Sequence, residues 1–343
     1  MADTDSHPPS VDIIIPYYKR RDMLERCLDS LAQTSYPAMG IIVVDNGGVE
    51  AGLVFLVKRY PNTRLVRLPE NRGYAGGCNE GLKHSVADYV VFMNDDTEHE
   101  PRWLEQLVAA ALDDDRIAAL QPKILSQQSY RKGRKIFDYA GAAGGMIDRL
   151  GYPFCLGRTF SKVETDNGQY DEGRDIFWAS GVAMFVKRAV AAELGGFDED
   201  FFMQMEEIDL SWRIKLAGYR ICSVPSSVVL HTGGASLPGG SVEKIYFNHR
   251  NNLVMILKNR SLTGLLWVIP LRVLLEIVAA LFYLTRFPGA LKKSGAVFRA
   301  MAYTFKKLGT SLKKRSKIQQ TRVAGDRLLF LQSPVSAIAG ISR

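Results

Sequence analysis

Short apolar runs alternate with segments of helical spacing along the first third of the chain. The apolar runs, each of which predicts a buried strand, are VDIIIPYY, GIIVVDNGG, RLVRL, DYVVFM and RIAAL. Between the first two runs, Leu24, Leu28 and Leu31 recur at helical spacing, and we predict helices at residues 21–33, 51–60, 74–85 and 101–112. Strands that alternate with helices predict an α/β domain with a mostly parallel central sheet.

The middle of the chain is less regular. Residues 123–175 are rich in Gly, Tyr and Arg and predict loops and short strands. The run FWASGVAMFVKR predicts a further strand, and residues 206–217 predict a helix that ends at Gly218, a residue suited to a left-handed cap. The runs ICSVP and SVVLH predict two short strands that end near His231.

Positive charge is concentrated in the last quarter of the chain. The net charge of the 343 residues is +8, yet residues 250–343 carry 17 Lys and Arg against only Glu276 and Asp326. The remainder is therefore mildly acidic, and the basic tail predicts a polyanionic partner such as a membrane surface or a nucleic acid. Segment 1–10 is polar, lacks the apolar core of a secretory signal and predicts a short disordered leader.

The basic tail also contains an apolar run, residues 262–284, which is long enough to cross a bilayer. Pro270, Arg272 and Glu276 interrupt it, and two central charges make crossing costly, although charges spaced four residues apart can pair on a helix. The run and the basic clusters after it favour an amphipathic arrangement in a membrane interface. Spanning, oligomerisation and core packing are the alternatives.

Polar side chains follow the fourth apolar run directly. Asn94, Asp95 and Asp96 come where that strand should end, and Asp45 ends the second strand. Ligands of open α/β sheets bind beyond the carboxyl ends of the strands, where these side chains are expected. Adjacent aspartates suit a hard cation such as Mg²⁺ or Mn²⁺, whereas the four scattered cysteines do not form a zinc pattern. The alternative is that Asp96 or Thr97 caps the next helix.

Two further segments place glycines or carboxylates at a helix start. NRGYAGGCNEG fits neither GxGxxG nor a P-loop, and its glycines serve either phosphate approach or tight packing of helix on strand. EEIDL places Glu206 and Glu207 in a first helical turn, where the dipole stabilises anions and where one carboxylate could act as a general base. A lone histidine such as His231 is more often structural than a ligand.

Seven segments occur in a fixed order along the chain. They are IIIPYYKR, IIVVDNGG, NRGYAGGCNEG, FMNDDTE, WASGVAMFVKR, GGFDEDFFMQMEEIDLSWR and VVLHTGG. Together they resemble the inverting nucleotide-sugar glycosyltransferases of family 2, especially bacterial rhamnosyltransferase-like members. The resemblance implies the GT-A fold, a single nucleotide-binding α/β domain, for residues 11–259. The leader (1–10) precedes this domain, and the amphipathic helical membrane-association region (260–343) follows it.

The resemblance implies a role for individual positions on the donor side. The side chains that would contact the nucleotide sugar are Pro16, Tyr18, Asp45, Asn71, Gly73, Tyr74, Asn94 and Asp95. Gly77 and Asn79 would support the turn beside the nucleotide. Asp96 is the third position of a DxD-type motif whose first acid is an asparagine here. It would bind Mg²⁺ or Mn²⁺ together with His231.

On the acceptor side, the acidic pair of the family falls on Glu206 and Glu207. Glu207 would be the general base that deprotonates the acceptor hydroxyl, and Glu206 is the alternative base. Trp178 would flank the acceptor sugar. Arg250, in the similar segment YFNHRNNLVMI, would also bind the acceptor.

These assignments imply a metal-dependent inverting glycosyltransferase of bacterial surface glycan synthesis, held peripherally at the cytoplasmic face of the plasma membrane. The leading donor is dTDP-rhamnose, and the acceptor is a lipid-linked glycan or polysaccharide. A UDP-sugar carrying galactofuranose, glucose or N-acetylhexosamine is the alternative donor, and a homo-oligomer is compatible with the tail.

Two functions outside this class were weighed. A sugar nucleotidyltransferase would need a Gly-rich phosphate loop where this chain has IPYYKRRDML. A nucleic-acid-binding protein would account for the basic tail but not for the seven ordered segments, so no nucleic-acid partner is expected.

Overall fold

The apolar runs of the amino-terminal half form neighbouring strands of one sheet, as the sequence predicts. The structure is a computed structural model that describes residues 7–48, 50, 52–159, 162–233, 240–286, 289–331 and 333–336. Most of the predicted leader lies outside the described residues. Its last residue, Ser10, donates to the Asp88 carboxylate through its backbone N–H (2.8 Å) and its hydroxyl (2.7 Å).

The described residues contain a large sheet of eight strands and a small sheet of four. In chain order the strands are β1 (Val11–Tyr17), β2 (Met39–Asn46), β3 (Thr63–Leu68), β4 (Tyr89–Met93), β5 (Thr97–His99), β6 (Ile117–Ser126), β7 (Gly145–Ile147), β8 (Pro153–Cys155), β9 (Arg158–Thr159), β10 (Lys162–Val163), β11 (Ala183–Lys187) and β12 (Arg220–His231). The large sheet has the order β3-β2-β1-β4-β11-β6-β12-β5, and the small sheet the order β10-β9-β8-β7.

Most neighbours in the large sheet run in parallel. The parallel pairs are β1 with β2 and β4, β2 with β3, and β6 with β12. Strands β11 and β5 run antiparallel to their neighbours. The predicted fold class, an α/β domain with a mostly parallel central sheet, is therefore confirmed.

Helices cover both faces of the large sheet. They are α1 (Arg21–Leu31), α2 (Leu53–Val57), α3 (Gly73–His84), α4 (Trp103–Leu112), α5 (Gln127–Tyr130), α6 (Arg188–Glu193), α7 (Glu206–Leu216), α8 (Val242–Asn259), α9 (Leu262–Arg286), α10 (Ala290–Lys306), α11 (Leu308–Gln320) and α12 (Asp326–Leu329). Successive side chains of a strand point to opposite faces, so Ile13 and Ile15 join the core beneath α1, α2 and α4, whereas Ile14 joins the core beneath α3, α6 and α7. Burial on both faces explains the continuous apolar runs in the sequence.

Three elements differ from the sequence prediction. Strand β5 follows Asp96 directly, where no strand was expected, and pairs with the end of β12. The runs ICSVP and SVVLH form the single strand β12, because an irregularity between Val224 and Val228 carries the chain past Pro225 within the sheet. The run FWASGVAMFVKR is a strand only in its second half, β11.

Part of the tail shares a core with the α/β domain. Val268 of α9 and Phe330 pack in one cluster with Phe177 and Trp212. Arg315 of α11 donates to the carbonyl of Leu257 at the end of α8 (3.0 Å). The residues after 259 therefore bury side chains against the main domain as well as against one another.

Helix α9 presents two different faces. It is the described helix whose length and composition would allow it to cross a membrane. Arg272 and Glu276 are buried and pair at 2.7 Å, and Arg272 also donates to the Leu150 carbonyl (3.0 Å). The charges that interrupt the apolar run thus face the protein. The outer face exposes Leu266, Trp267, Leu271, Leu274, Val278, Leu281 and Phe282.

Candidate active site

The carboxyl ends of β1, β2 and β4 meet at one edge of the large sheet. Asp45 is buried at the end of β2, opposite Tyr17 of β1, and accepts a hydrogen bond from the Gly48 N–H (2.9 Å). Pro16 lies in β1, and Tyr18 follows that strand with its side chain exposed. The three residues expected at the nucleobase and ribose therefore lie at adjacent strand ends.

Arg20 bridges the two aspartates that follow β4. Its guanidinium contacts the Asp95 carboxylate and lies 3.4 Å from Asp96 Oδ2. Asp95 is buried, and burial raises its pKa to about 7 even though Arg20 opposes the shift. The sequence reasoning missed Arg20, although its place directly after β1 puts it at the ligand-binding edge of the sheet.

The predicted metal pair is brought together by β5 and β12. Because β12 runs past β5, His231 Nε2 lies 3.1 Å from Asp96 Oδ1. The other ring nitrogen, Nδ1, lies 2.9 Å from Asp138 Oδ1, and the Asn94 amide lies 3.2 Å from Nε2. Although burial opposes both shifts, the neighbouring carboxylates raise the pKa of His231 to about 10, and His231 and Arg20 lower the pKa of Asp96.

This pair is suited to a divalent cation, although the described residues contain no ready cluster of three His, Cys, Asp or Glu ligands. Mg²⁺ and Mn²⁺ accept one or two protein ligands when substrate phosphates and water supply the others. Asp96 would give a carboxylate oxygen and His231 its Nε2. Asp138 holds Nδ1, as a carboxylate behind a metal-binding histidine does. Binding would displace the proton that His231 otherwise carries.

The start of α3 is fixed by asparagine side chains. Asn71 Oδ1 accepts from the Gly73 N–H (2.8 Å), and Asn46 Nδ2 donates to the Gly73 carbonyl (2.8 Å). Gly73 has φ +70°, and a Cβ there would lie 2.1 Å from the Phe202 carbonyl oxygen. Only glycine is compatible with this turn. Because Asn46 binds the turn and follows Asp45 in the chain, the turn lies close to Asp45.

The glycines within α3 serve packing. A Cβ at Gly77 would lie 2.8 Å from Pro16 Cβ, and one at Gly81 would lie 2.2 Å from a methyl carbon of Ile14. Asn79 does not reach the turn: it exchanges hydrogen bonds with the backbone of Phe197 (2.8 and 2.9 Å). The packing alternative therefore describes Gly77 and Gly81.

A cavity of about 590 Å³ opens next to this edge. The predicted site residues that line it are Tyr74, Asn94, Trp178, Glu206 and Glu207. Tyr74 donates to the Gly181 carbonyl (2.5 Å), and Trp178 Nε1 donates to the Met146 carbonyl (2.8 Å), so both rings are held in place. Asn94 contacts His231 and also lines the cavity, and therefore connects the metal pair with the cavity.

Glu206 and Glu207 begin α7 at the cavity wall. Glu206 is buried and Glu207 is partly exposed, and the Oε2 atom of each accepts no hydrogen bond from the described residues. Burial raises the pKa of Glu207 to about 7, and burial together with the charge of Glu207 raises that of Glu206 well above its usual value. At neutral pH Glu207 can thus hold or release a proton.

The loop before α7 is strained and is clamped by α8. Phe202, Gln204 and Met205 have φ values of 63°, 69° and 73°, a region that side chains other than glycine rarely adopt. Asn251 Nδ2 donates to the carbonyls of Phe201 (3.1 Å), Met203 (2.9 Å) and Gln204 (2.7 Å).

Arg250 supports the same loop. It donates to the carbonyls of Asp200 (2.9 Å) and Phe201 (2.8 Å) and does not line the cavity. The structure therefore places Arg250 behind the Glu207 loop, away from the expected acceptor position. Asn251, to which no separate role was assigned from the sequence, binds the same loop through three carbonyls.

Replacing Asn251 with alanine is expected to lower kcat about tenfold. The backbone carbonyls of the strained loop before α7 would lose the side chain that binds them, and this loop positions Glu207. Unfolding should become easier by about 1–3 kcal/mol, the usual cost of leaving buried polar groups unpaired. Steady-state kinetics well below the melting temperature will separate the two effects. The exposed Asn167→Ala variant is the control. An unchanged kcat in Asn251→Ala would show that the clamp does not set the position of Glu207.

Comparison of the sequence with known families and proteins gives a consistent result. The family model described as Glycosyl transferase family 2 matches residues 12–195. N-acetylglucosaminyl-diphospho-decaprenol L-rhamnosyltransferase of Mycobacterium tuberculosis is 28% identical over 262 residues, which cover 73% of this chain and 84% of that protein. The O-antigen biosynthesis protein RfbC of Myxococcus xanthus is 28% identical over 66% of this chain, but the match covers only 18% of its own length.

Solved structures share the fold at low sequence identity. GalNAc-T7, solved with UDP, GalNAc and Mn²⁺, superposes with a TM-score of 0.56 and 17% identity over 74% of this chain and 48% of its own. The mannosyltransferase PcManGT from Pyrobaculum calidifontis, in complex with GDP-Man and Mn²⁺, gives a TM-score of 0.51 and 18% identity over 98% of this chain and 87% of its own.

Proposed function

Since the chain belongs to glycosyl transferase family 2 and is a glycosyltransferase of GT-A fold, we propose that it moves a sugar from a nucleotide-sugar donor to a lipid-linked glycan with inversion of the anomeric centre. One observation carries this proposal. Asn94 contacts His231 of the Asp96–His231 pair and also lines the cavity that contains Glu207. We assign the pair to the donor side and Glu207 to the acceptor side. A single displacement needs these two groups on opposite sides of the reacting carbon.

The donor side would hold the nucleotide and its diphosphate. Asp45 and the Asn71–Tyr74 turn border the strand ends where the nucleoside would lie, and Asp96 with His231 would hold Mg²⁺ or Mn²⁺. When bound, this ion would neutralise the charge that develops on the leaving nucleoside diphosphate. Arg20, which contacts Asp95 and Asp96, adds a fixed positive charge at the same edge.

The acceptor side would remove the proton of the attacking hydroxyl. An alcohol is a poor nucleophile until its proton is removed during attack, and a base works best when its pKa lies near the working pH. Burial gives Glu207 such a pKa, and the residue lines the cavity. Trp178 forms a flat apolar wall on which a sugar ring could rest.

The donor sugar of the proposal is rhamnose, carried by dTDP. The support is the relative named as an L-rhamnosyltransferase, which this chain matches over 84% of that protein. That relative's name also specifies a diphospho-decaprenol acceptor, and a lipid-linked acceptor is proposed here in the same way. A UDP-sugar remains the alternative donor.

Product analysis tests the function. With dTDP-rhamnose and a prenyl-diphosphate-linked N-acetylglucosamine as acceptor, the full chain is expected to release dTDP in proportion to the acceptor consumed. A set of UDP-sugars replaces dTDP-rhamnose in a second series, which tests the alternative donors. A sugar nucleotidyltransferase would instead form a sugar nucleotide and pyrophosphate from dTTP and a sugar 1-phosphate. Formation of that pyrophosphate, without acceptor-dependent release of any nucleoside diphosphate, would overturn the proposal.

The proposal places the enzyme peripherally at the cytoplasmic face of the membrane. The inner face of α9 holds the Arg272–Glu276 pair against the main domain, which a helix surrounded by lipid could not do. Its outer face is apolar, and exposed lysines on the following helices, such as Lys292 and Lys306, would attract anionic lipid headgroups. A helix lying in the interface uses both features.

Replacing Leu274 and Leu281 with glutamine is expected to weaken sedimentation with phosphatidylglycerol vesicles about tenfold or more, since each buried leucine contributes on the order of 1.5–3 kcal/mol. The two side chains are 56% and 53% exposed, so the fold should not depend on them. The matched control replaces Val86 (89% exposed) and Leu112 (60% exposed) in the same way.

Equal sedimentation of both double variants would contradict the membrane role of α9. Alkaline carbonate extraction distinguishes the two membrane arrangements in the wild-type chain. A peripheral protein is released into the supernatant, whereas retention in the pellet would show that α9 spans the bilayer.

A further inference from the structure

One part of the cavity is lined by basic side chains. Its walls come from the small sheet, from α8 and from α9, and the basic groups among its lining residues are Arg158, Lys244, His249 and Arg272. The acidic groups that line the cavity are Glu206 and Glu207, at the start of α7. The cavity lining therefore contains both basic and acidic groups.

Two of the four basic groups already contact a carboxylate inside the protein. Arg272 pairs with Glu276 at 2.7 Å, and His249 Nδ1 contacts the other oxygen of the same carboxylate. Arg272 also lies over the Tyr152 ring, 3.7 Å from its centroid. These groups tie α9 to α8 and leave little charge for a ligand.

Arg158 and Lys244 are not neutralised in this way. Neither lies within 4 Å of a carboxylate of the described residues. Arg158 Cζ lies 4.1 Å and Lys244 Nζ 5.7 Å from the centroid of the same ring, Tyr139. Arg158 Nε is also buried and has no hydrogen-bond partner there. Burial, and then the charge of Arg158, lower the pKa of Lys244.

Two like charges beside one ring repel each other, and their partial burial removes the water that would screen them. Such an arrangement becomes favourable when an anion with several oxygens lies between them, because lysine and arginine both form strong charge-assisted hydrogen bonds to phosphate. A single carboxylate would satisfy one of the two groups less completely than a diphosphate would satisfy both.

The cavity also borders the apolar face of α9. Tyr283 lines the cavity, while Phe282 and Leu284, its neighbours in the helix, are exposed on the outer side. A prenyl chain attached to a diphosphate at Arg158 and Lys244 could therefore continue onto the surface that is proposed to lie in the membrane.

We infer that Arg158 and Lys244 form a binding subsite for the diphosphate of a prenyl-diphosphate-linked acceptor. The identity of the ligand, a lipid-linked acceptor, rests on the proposed function. The preference of the subsite for a diphosphate anion does not. Arg158 and Glu207 line the same cavity, and Arg158 also lies 3.7 Å from the Sγ atom of Cys155, another lining residue.

Titration of the full chain with geranyl diphosphate in EDTA tests the subsite, because without a divalent ion the donor side has no metal to hold a diphosphate. The wild type is expected to bind, and Arg158→Gln and Lys244→Gln are each expected to weaken binding about tenfold. Arg158→Lys, which keeps the charge, should lose less. Lys132→Gln, at an exposed position, is the control and should bind as the wild type does.

Two further arms identify the source of the anion. Inorganic pyrophosphate is expected to bind more weakly than geranyl diphosphate, because it lacks the apolar chain, and Asp96→Ala is expected to bind geranyl diphosphate as the wild type does. The inference would be overturned if both glutamine variants bound geranyl diphosphate as the wild type does, or if Lys132→Gln lost as much affinity as they do. It would also be overturned if pyrophosphate bound as tightly as geranyl diphosphate, or if Asp96→Ala lost binding. Failure of the chain to turn over any nucleotide sugar would refute the proposed function while leaving this titration to decide the subsite.

Discussion

Replacement of Glu207 by glutamine is expected to lower the transfer rate by on the order of 10²-fold or more, within the range for loss of a general base. Glutamine keeps the size and the hydrogen bonding of the side chain but cannot accept the proton of the acceptor hydroxyl. Donor affinity should remain near that of the wild type, because the proposed nucleotide site is formed by Asp45, Asp96 and His231 and does not include Glu207. Single-turnover transfer and nucleotide binding, measured on the same preparation, check both statements.

The pH profile gives the same base a second signature. Burial raises the pKa of Glu207 to about 7, so the carboxylate is protonated and inactive below that value and becomes active as the pH rises through it. The wild-type rate should therefore rise with pH and level off above about 7. In Glu207→Gln this limb of the profile should disappear.

Glu206→Gln is the matched control, since its side chain is adjacent, buried and chemically the same. Adjacent residues of a helix point about 100° apart, so the two carboxylates cannot face one acceptor equally. Glu206→Gln should retain more transfer activity than Glu207→Gln. The reverse order would show that Glu206 is the base, and near-normal transfer in both variants would show that α7 does not supply it.

Replacement of Asp96 by alanine is expected to lower transfer by at least on the order of 10²-fold and to remove the Mn²⁺-dependent part of nucleotide affinity. The fold should persist, because Arg20 still contacts Asp95 and His231 still contacts Asp138. Titration calorimetry with dTDP and with UDP, in Mn²⁺ and in EDTA, measures the loss. The melting temperature of the variant reports on its fold.

Asp22→Ala provides the control, because Asp22 is exposed on α1 and pairs with Arg26 of the same helix. This variant should bind nucleotide as the wild type does. The assignment of Asp96 to the metal would be wrong if wild-type transfer were undiminished in EDTA, or if Asp96→Ala kept its Mn²⁺-dependent affinity.

The large sheet could be predicted from the sequence because its strands are buried on both faces. Such strands are continuous apolar runs, and the polar residues that end them mark the ligand edge. Asp45 and the Asn94–Asp96 segment were found in this way. Strand β5 was missed because its three residues, Thr97 to His99, carry no apolar pattern and owe their conformation to pairing with β12.

The partners of the site residues could be predicted less well. Arg20 could have been found from the sequence, because it belongs to a basic segment directly after β1. Asp138 lies in an irregular, glycine-rich segment, and only the folded chain places it against His231 Nδ1. Asn251 is remote in sequence from the loop that it clamps, so its role depends on how α8 packs beside α7.

The position of Arg250 shows a limit of motif reasoning. The segment YFNHRNNLVMI, which contains Arg250 and Asn251, was matched to the family as a whole, and acceptor binding was expected of Arg250. In the structure the two side chains bind backbone carbonyls before α7, and Arg250 lies outside the cavity lining. The match to the family therefore pointed to a functional segment, and the contacts in the structure show that Arg250 supports a loop.

The charges within the apolar run of the tail were interpreted correctly as a possible pair. Arg272 and Glu276 do pair, four residues apart, on the inner face of α9. The sequence could not show that this face would close one end of the cavity, because that contact depends on Leu150 and Tyr152 in the small-sheet region.

Thermal unfolding of the wild-type chain with a panel of sugar nucleotides tests the central claim most directly, since a ligand that binds the native state raises its melting temperature. The account predicts that dTDP-rhamnose, or failing that one UDP-sugar, raises the melting temperature in Mn²⁺ beyond the effect of Mn²⁺ alone, and that EDTA abolishes the shift. A panel in which no sugar nucleotide shifts the melting temperature, or in which the shift is the same in EDTA, would contradict it.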